Sequence, residues 1–242
     1  MSNPYSYAED NFGGSFADGF AADAQLSDRM AFIRRTYLHV FGGIMAFIAL
    51  ETLYFTTPVG PAIANLIGPN WWMALLGFIF VSWIAERWAH SGASVGKQYL
   101  GLSLFVFAES IIFVPLLMIA SMQGPNIIPT AAFLTMVVFG ALTFLVFVTK
   151  KDFSFMRGFL FAGSIAALGL IFAGMIFGFN LGIVFVGAMV LLLSGYILYD
   201  TSNILHHYRT DQHVGAALAL FGSIATLFWY MIRLVMILAN ND

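Results

Sequence analysis

Pro129-Thr130-Ala131-Ala132-Phe133-Leu134-Thr135-Met136-Val137-Val138-Phe139-Gly140-Ala141-Leu142-Thr143-Phe144-Leu145-Val146-Phe147-Val148-Thr149 carries no charge and runs straight into Lys150-Lys151. A helix needs about 20 apolar residues to cross the hydrocarbon of a bilayer. The run is continuously apolar, with no strand-like alternation. Only helices and closed barrels satisfy every backbone group in lipid, so this stretch reads as a transmembrane helix stopped by two lysines.

Working outward, six more such runs appear. The seven spans are expected at roughly 33–56, 71–86, 99–121, 129–149, 155–178, 181–202 and 214–238. Composition agrees: 60% of the 242 residues are hydrophobic and 9% are charged. A soluble domain has about 25% charged residues, so these few charges could not coat a water-exposed surface. The sequence therefore predicts an all-α polytopic membrane protein of seven helices whose main partner is the lipid bilayer. The net charge of −2 gives no basic footprint for nucleic acid. With no cysteine, disulfides, thiolate metal sites and cysteine nucleophiles are excluded. No Walker loop, G-x-S-x-G, H-E-x-x-H or G-x-G-x-x-G is present, so no enzyme activity, metal site or cofactor is expected.

Basic residues set the topology. Arg29, Arg34 and Arg35 precede the first span, Arg87 and Lys97 follow the second, Lys150, Lys151 and Arg157 follow the fourth, and Arg209 follows the sixth. The loops after spans one, three and five hold no lysine or arginine. The positive-inside rule then puts the N-terminus in the cytoplasm and the C-terminus outside. Residues 1–28, rich in Gly, Ala, Ser and Asp, read as a disordered acidic cytoplasmic tail, and residues 29–242 as the seven-helix domain. No cleavable signal peptide is expected, so the first span would act as the targeting signal. Gly174, Gly178 and Gly182, at four-residue spacing, favour close helix packing within a tight hairpin of spans five and six. A monomer or weak homo-oligomer is expected.

Ionisable side chains inside spans are expensive and are functional candidates by default. Glu51 lies near the outer end of the first span, Glu109 in the middle of the third and Asp200 near the inner end of the sixth. The three acids form a ladder of the kind that a cation or proton path uses. Arg233 lies at the depth of Glu51 and is expected to pair with it. His207 falls seven residues after Asp200, on the same helix face, and His39 reads as a hydrogen-bonded packing residue. Pro115 is expected to free a carbonyl and kink the third span.

Two stretches carry a resemblance. Thr149-Lys150-Lys151-Asp152-Phe153-Ser154-Phe155, followed by Gly158 and Ala162-Gly163, and Leu198-Tyr199-Asp200-Thr201-Ser202-Asn203-Ile204-Leu205-His206 resemble two motifs of the Bax inhibitor-1 family, in its bacterial YccA-like branch. The resemblance covers roughly 29–238. It implies six helices around a central seventh, the bacterial inner membrane, and a pH-sensitive calcium leak working through two aspartates on the last two helices. Asp200 matches the first; the second position falls on Ser223, a departure that removes the coupling of two carboxylates sharing a proton. The family's basic latch at the end of the second helix points to Arg87. The YccA-like branch implies a second role, binding and inhibition of the membrane-anchored FtsH protease. The functional expectation is thus a proton-sensitive calcium or cation leak, with modulation of an FtsH-type protease as the alternative.

Overall fold

The structure, a computed structural model, describes residues 20–90 and 94–240. Its elements are α1 (Leu26–Thr56), α2 (Val59–Ile67), a short 3₁₀ turn (Gly68–Asn70), α3 (Trp71–Ala89), α4 (Val95–Gln123), α5 (Ile127–Thr149), a second 3₁₀ turn (Ser154–Met156), α6 (Arg157–Phe177), α7 (Ile183–His206) and α8 (His213–Ala239). Seven segments among the described residues are long and apolar enough to cross a membrane. They match the seven expected spans, each differing at its ends by a few residues, with one exception. The second span is longer than expected: α2 and the turn extend it to Val59–Ala89. Pro61, Gly68 and Pro69 punctuate Val59–Asn70 and mask its helical character in the sequence. Residues 1–19, most of the expected acidic tail, lie outside the described residues.

The last helix organises the bundle. α8 touches α1, α3, α4, α5 and α7, and more than half of its 27 residues are buried. α1 meets it with a stripe at helical spacing: Phe32, Thr36, Val40, Gly43, Phe47, Glu51 and Tyr54. α4 is similarly enclosed, burying residues from Gly101 to Ala120. α6 buries only Leu160 and Ala167 and packs chiefly on α7. Its outward rings, Phe159, Phe161 and Phe177, are 73%, 64% and 78% exposed. Exposed rings also occur on α1, α3 and α5, at Phe41, Phe80 and Phe133, and such a surface calls for hydrocarbon as the solvent.

Small residues set the helix separations, as expected where lipid supplies no hydrophobic drive between helices. A Cβ at Gly101 would lie 2.6 Å from the Ala85 carbonyl oxygen and 2.8 Å from the Ala89 nitrogen, so α3 and α4 touch backbone to backbone. The Gly174–Gly178–Gly182 stripe is not a packing face. α6 ends at Phe177, Gly178 takes a left-handed conformation (φ 72°) to cap it, and Gly182 precedes α7. α4 continues through Pro115 as one helix. Proline cannot donate to the Ile111 carbonyl, but enclosure by α1, α3 and α8 holds the helix together.

Between α1, α4 and α8 the centre is aromatic. Phe47 meets Phe113 edge-on at 5.0 Å and Phe221 at 6.5 Å. Phe113 stacks on Phe228 at 5.8 Å and meets Trp229 edge-on at 5.0 Å, and Trp71 stacks on Trp229 at 5.4 Å. Trp71 is therefore partly packed into the bundle, whereas its neighbour Trp72 is exposed.

Candidate functional site

The charged groups buried in this centre are carboxylates. Glu51, Glu109 and Asp200 are 7%, 4% and 7% exposed. Their depths follow from helix geometry at about 1.5 Å per residue. Glu109 sits fourteen residues from either end of α4, about 21 Å from each. Glu51 is five residues from the end of α1 that lies away from the basic loops, about 7.5 Å. Asp200 is six residues from the basic end of α7, about 9 Å.

Asp200 has a specific partner. The Ser223 hydroxyl, from α8, donates to Asp200 Oδ2 at 2.5 Å. Helical spacing on α8 places Ser223 among the buried positions Leu220, Ile224 and Leu227. Asp200 belongs likewise to the buried face of α7 with Ile197, Thr201 and Ile204. Glu86, on the last turn of α3, is the charge that acts on Asp200 through space. Tyr208, in the loop after α7, closes the basic end of this pocket. Burial pushes its hydroxyl up, and the Asp200 charge adds to the push. His90 stacks on the Tyr208 ring at 6.3 Å.

The other two acids lack such support. Both carboxylate oxygens of Glu51 are buried without a hydrogen-bond partner. Glu109 has neither a hydrogen-bond partner nor a charged neighbour among the described residues. Nearby, Tyr54 and Ser110, each next to one of these acids along the buried faces of α1 and α4, share a hydrogen bond of 3.4 Å.

Three expected pairings are not formed. Glu51 and Arg233 lie at similar depth, but Glu51 belongs to the stripe facing the bundle interior and makes no ion pair there. Arg233 is half-buried beside Tyr230. Arg87 does not latch Asp200: its guanidinium lies 5.4 Å from the centre of the exposed Trp83 ring, as a cation–π contact on the outer face of α3. Glu86 and Arg87 are both exposed on the last turn of α3, whose buried residues there are Ala85 and Ala89. His207 does not share a face with Asp200, because α7 ends at His206. Its Nε2 meets Asp152 Oδ2 at 2.9 Å instead.

That contact belongs to a second cluster at the basic end. Asp152 Oδ1 accepts from the Ser154 backbone N–H at 2.8 Å, forming an Asx turn between α5 and α6. This bond, together with His207, holds the Asp152 carboxyl down to about 2. The Phe153 N–H donates to Ser202 Oγ at 2.8 Å, tying the turn to α7. Phe20 meets His207 edge-on at 6.1 Å, and the Ala21 N–H donates to the Tyr208 carbonyl at 2.8 Å. The sequence signalled the turn through Asp152-Phe153-Ser154, but nothing marked Phe20 as a docking residue. His39 is a satisfied packing residue as expected: Nδ1 donates to the Arg35 carbonyl at 2.6 Å, leaving Nε2 to accept from Tyr99 at 2.8 Å. No group of three or more His, Asp or Glu side chains suited to a metal ion occurs among the described residues.

Comparison with known proteins fits this arrangement. The family model for the inhibitor of apoptosis-promoting Bax1 matches residues 29–242. The Bax inhibitor 1 of Schizosaccharomyces pombe is 29% identical over 91% of this chain and 82% of its own. Protein LIFEGUARD 4 of Arabidopsis thaliana is 28% identical over 83% of this chain and 82% of its own. A membrane protein of Vibrio cholerae is 41% identical over 50% of this chain and 54% of its own. With the helical bundle, the buried Asp200 and the family model spanning the whole membrane domain, the chain belongs to the Bax inhibitor-1 family.

Proposed function

We propose that this protein is a proton-sensitive leak channel or transporter for calcium or related cations, working through intramembrane carboxylates. The observation that carries the reading is the set of three buried acids, Asp200, Glu109 and Glu51, at three depths and without a basic partner. An unpaired charge in hydrocarbon costs at least about 2.5–3.5 kcal/mol, and such residues mark ion pathways. Scattered structural acids would be expected to recruit arginine or lysine, yet Arg87 and Arg233 turn elsewhere.

Asp200 is the sensing or ion-interacting group. Ser223 orients it through the hydroxyl that donates to Oδ2. Phe47, Phe113 and Phe221 fill the space between α1, α4 and α8, an apolar constriction of the kind that closes pores by excluding water. The protein sits in a bacterial inner membrane with its basic loops and N-terminus in the cytoplasm and its C-terminus outside.

The test is calcium entry into dye-loaded liposomes holding the purified chain, scanned from about pH 6 to 8, the range in which biological proton sensors work. The native chain should pass calcium in a pH-dependent manner, and Asp200→Asn should flatten that dependence. A pH profile identical in the two proteins would remove Asp200 from the sensing role. Modulation of an FtsH-type protease is a separate reading that rests on the family resemblance and the acidic tail, residues 1–28, and it is tested by truncating that tail.

A further inference from the structure

We propose that the groove between the basic-end portions of α6 and α7 binds one anionic glycerophospholipid, with its phosphate at Arg157 and an acyl chain laid along Gly158 and Phe161. Two cavities meet there. The first, of about 510 Å³, is polar, offering the Ser154 hydroxyl, the Arg157 guanidinium and the Asn203 and Gln212 amides. The second, of about 460 Å³, is apolar, walled by Gly158, Leu160, Phe161 and Tyr196. Both volumes fall within the roughly 300–1,000 Å³ usual for small-molecule sites. Arg157 and Tyr199 line both cavities, so the polar and apolar spaces adjoin. An amphiphile fits that shape, whereas a free anion would leave the apolar half unfilled.

Charge selects the headgroup. The nearby acids are engaged: Asp152 with the Ser154 N–H and His207, and Asp211 with Arg209 at 3.3 Å. Arg157 has no ion-pair partner among the described residues, and its guanidinium suits a phosphate. Lys150 and Lys151 precede it in the same loop. Basic pockets between transmembrane helices at the membrane surface bind anionic headgroups. Depth is also set. A Cβ on Gly195 would lie 2.8 Å from Leu160 Cδ2, so α6 and α7 close against each other one turn beyond Arg157. Phe161, 64% exposed, leaves the slot open towards hydrocarbon.

The full chain in phosphatidylcholine nanodiscs doped with phosphatidylglycerol is extracted into mild detergent, and retained lipid is counted by mass spectrometry. Phosphatidylglycerol should be enriched on the native protein. Arg157→Ala should reduce that retention about fivefold, the factor matching roughly 1 kcal/mol for one basic side chain at an anionic surface. Gly158→Leu should reduce it too by filling the slot. No atom lies within 4 Å of a Cβ at Gly158, so this variant keeps its packing and carries the test if Arg157→Ala does not fold. Lys97→Ala, exposed on α4 at the same end, should retain the lipid fully. Three results would each overturn the proposal: no enrichment on the native chain, an equal loss in Lys97→Ala, or displacement of the lipid by inorganic phosphate.

Discussion

Asp200 and Ser223 concentrate the chemistry at the residue scale. A hydroxyl donating to a buried carboxyl orients it, and removing that donor leaves the carboxyl unsatisfied. Ser223→Ala should lower stability by about 1–3 kcal/mol, read from denaturant unfolding in detergent; an unchanged midpoint would mean that the bond contributes nothing. Asp152 makes a pH prediction. Its carboxyl is held at about 2 against an ordinary 3.8, so the ionised form stabilises the fold above about pH 4 and that stabilisation disappears as pH falls towards 2. Asp152→Asn should therefore be less stable than the native chain at pH 7, with the gap closing between pH 4 and pH 2. A gap that persists at pH 2 would point to lost hydrogen-bond geometry rather than lost charge. The sequence showed which acids were buried, because a charge within an apolar run is visible. Their partners were not visible. Depth alone suggested Glu51 with Arg233, and the family resemblance suggested Arg87, but Glu51 faces the bundle interior without an ion pair and Arg87 lies against Trp83.

Among elements, α3 and α4 depend on Gly101. Any Cβ there collides with backbone atoms, which cannot rotate away as a flexible side chain does. Gly101→Ala should cost about 1–3 kcal/mol through forced separation of the two helices, seen as a lower unfolding temperature. Gly140→Ala, which meets nothing within 4 Å, should leave the temperature unchanged or raise it. Equal effects at the two sites would refute the close-approach account. Spans four to seven were legible to within a few residues because long apolar runs end at lysines, glycines, histidines or asparagines. α2 was not, since the prolines and glycines around it read as loop while its apolar residues were too few to form a span alone. The Asx turn at Asp152 was legible in principle from Asp-x-Ser, but its engagement with His207 depends on where α7 stops.

Across the whole molecule, the central position of α8 follows from its packing against α1, α3, α4, α5 and α7 and ties the basic end to the three acids. Phe20 and Ala21 dock on the loop between α7 and α8. Deleting residues 1–19 should leave folding and calcium flux intact and abolish any protease modulation, whereas deleting 1–25 should also lower the unfolding temperature by removing the Phe20–His207 and Ala21–Tyr208 contacts. Matching temperatures for the two truncations would show that the docking adds no stability. The most direct test of conduction along the acids is calcium flux through Glu109→Gln in liposomes, since glutamine keeps the shape of the side chain at the mid-depth of α4 and removes only its charge. Flux reduced at least tenfold in the folded variant, about 1.4 kcal/mol in the barrier, is the predicted result. Flux equal to that of the native chain would contradict a path through the buried carboxylates.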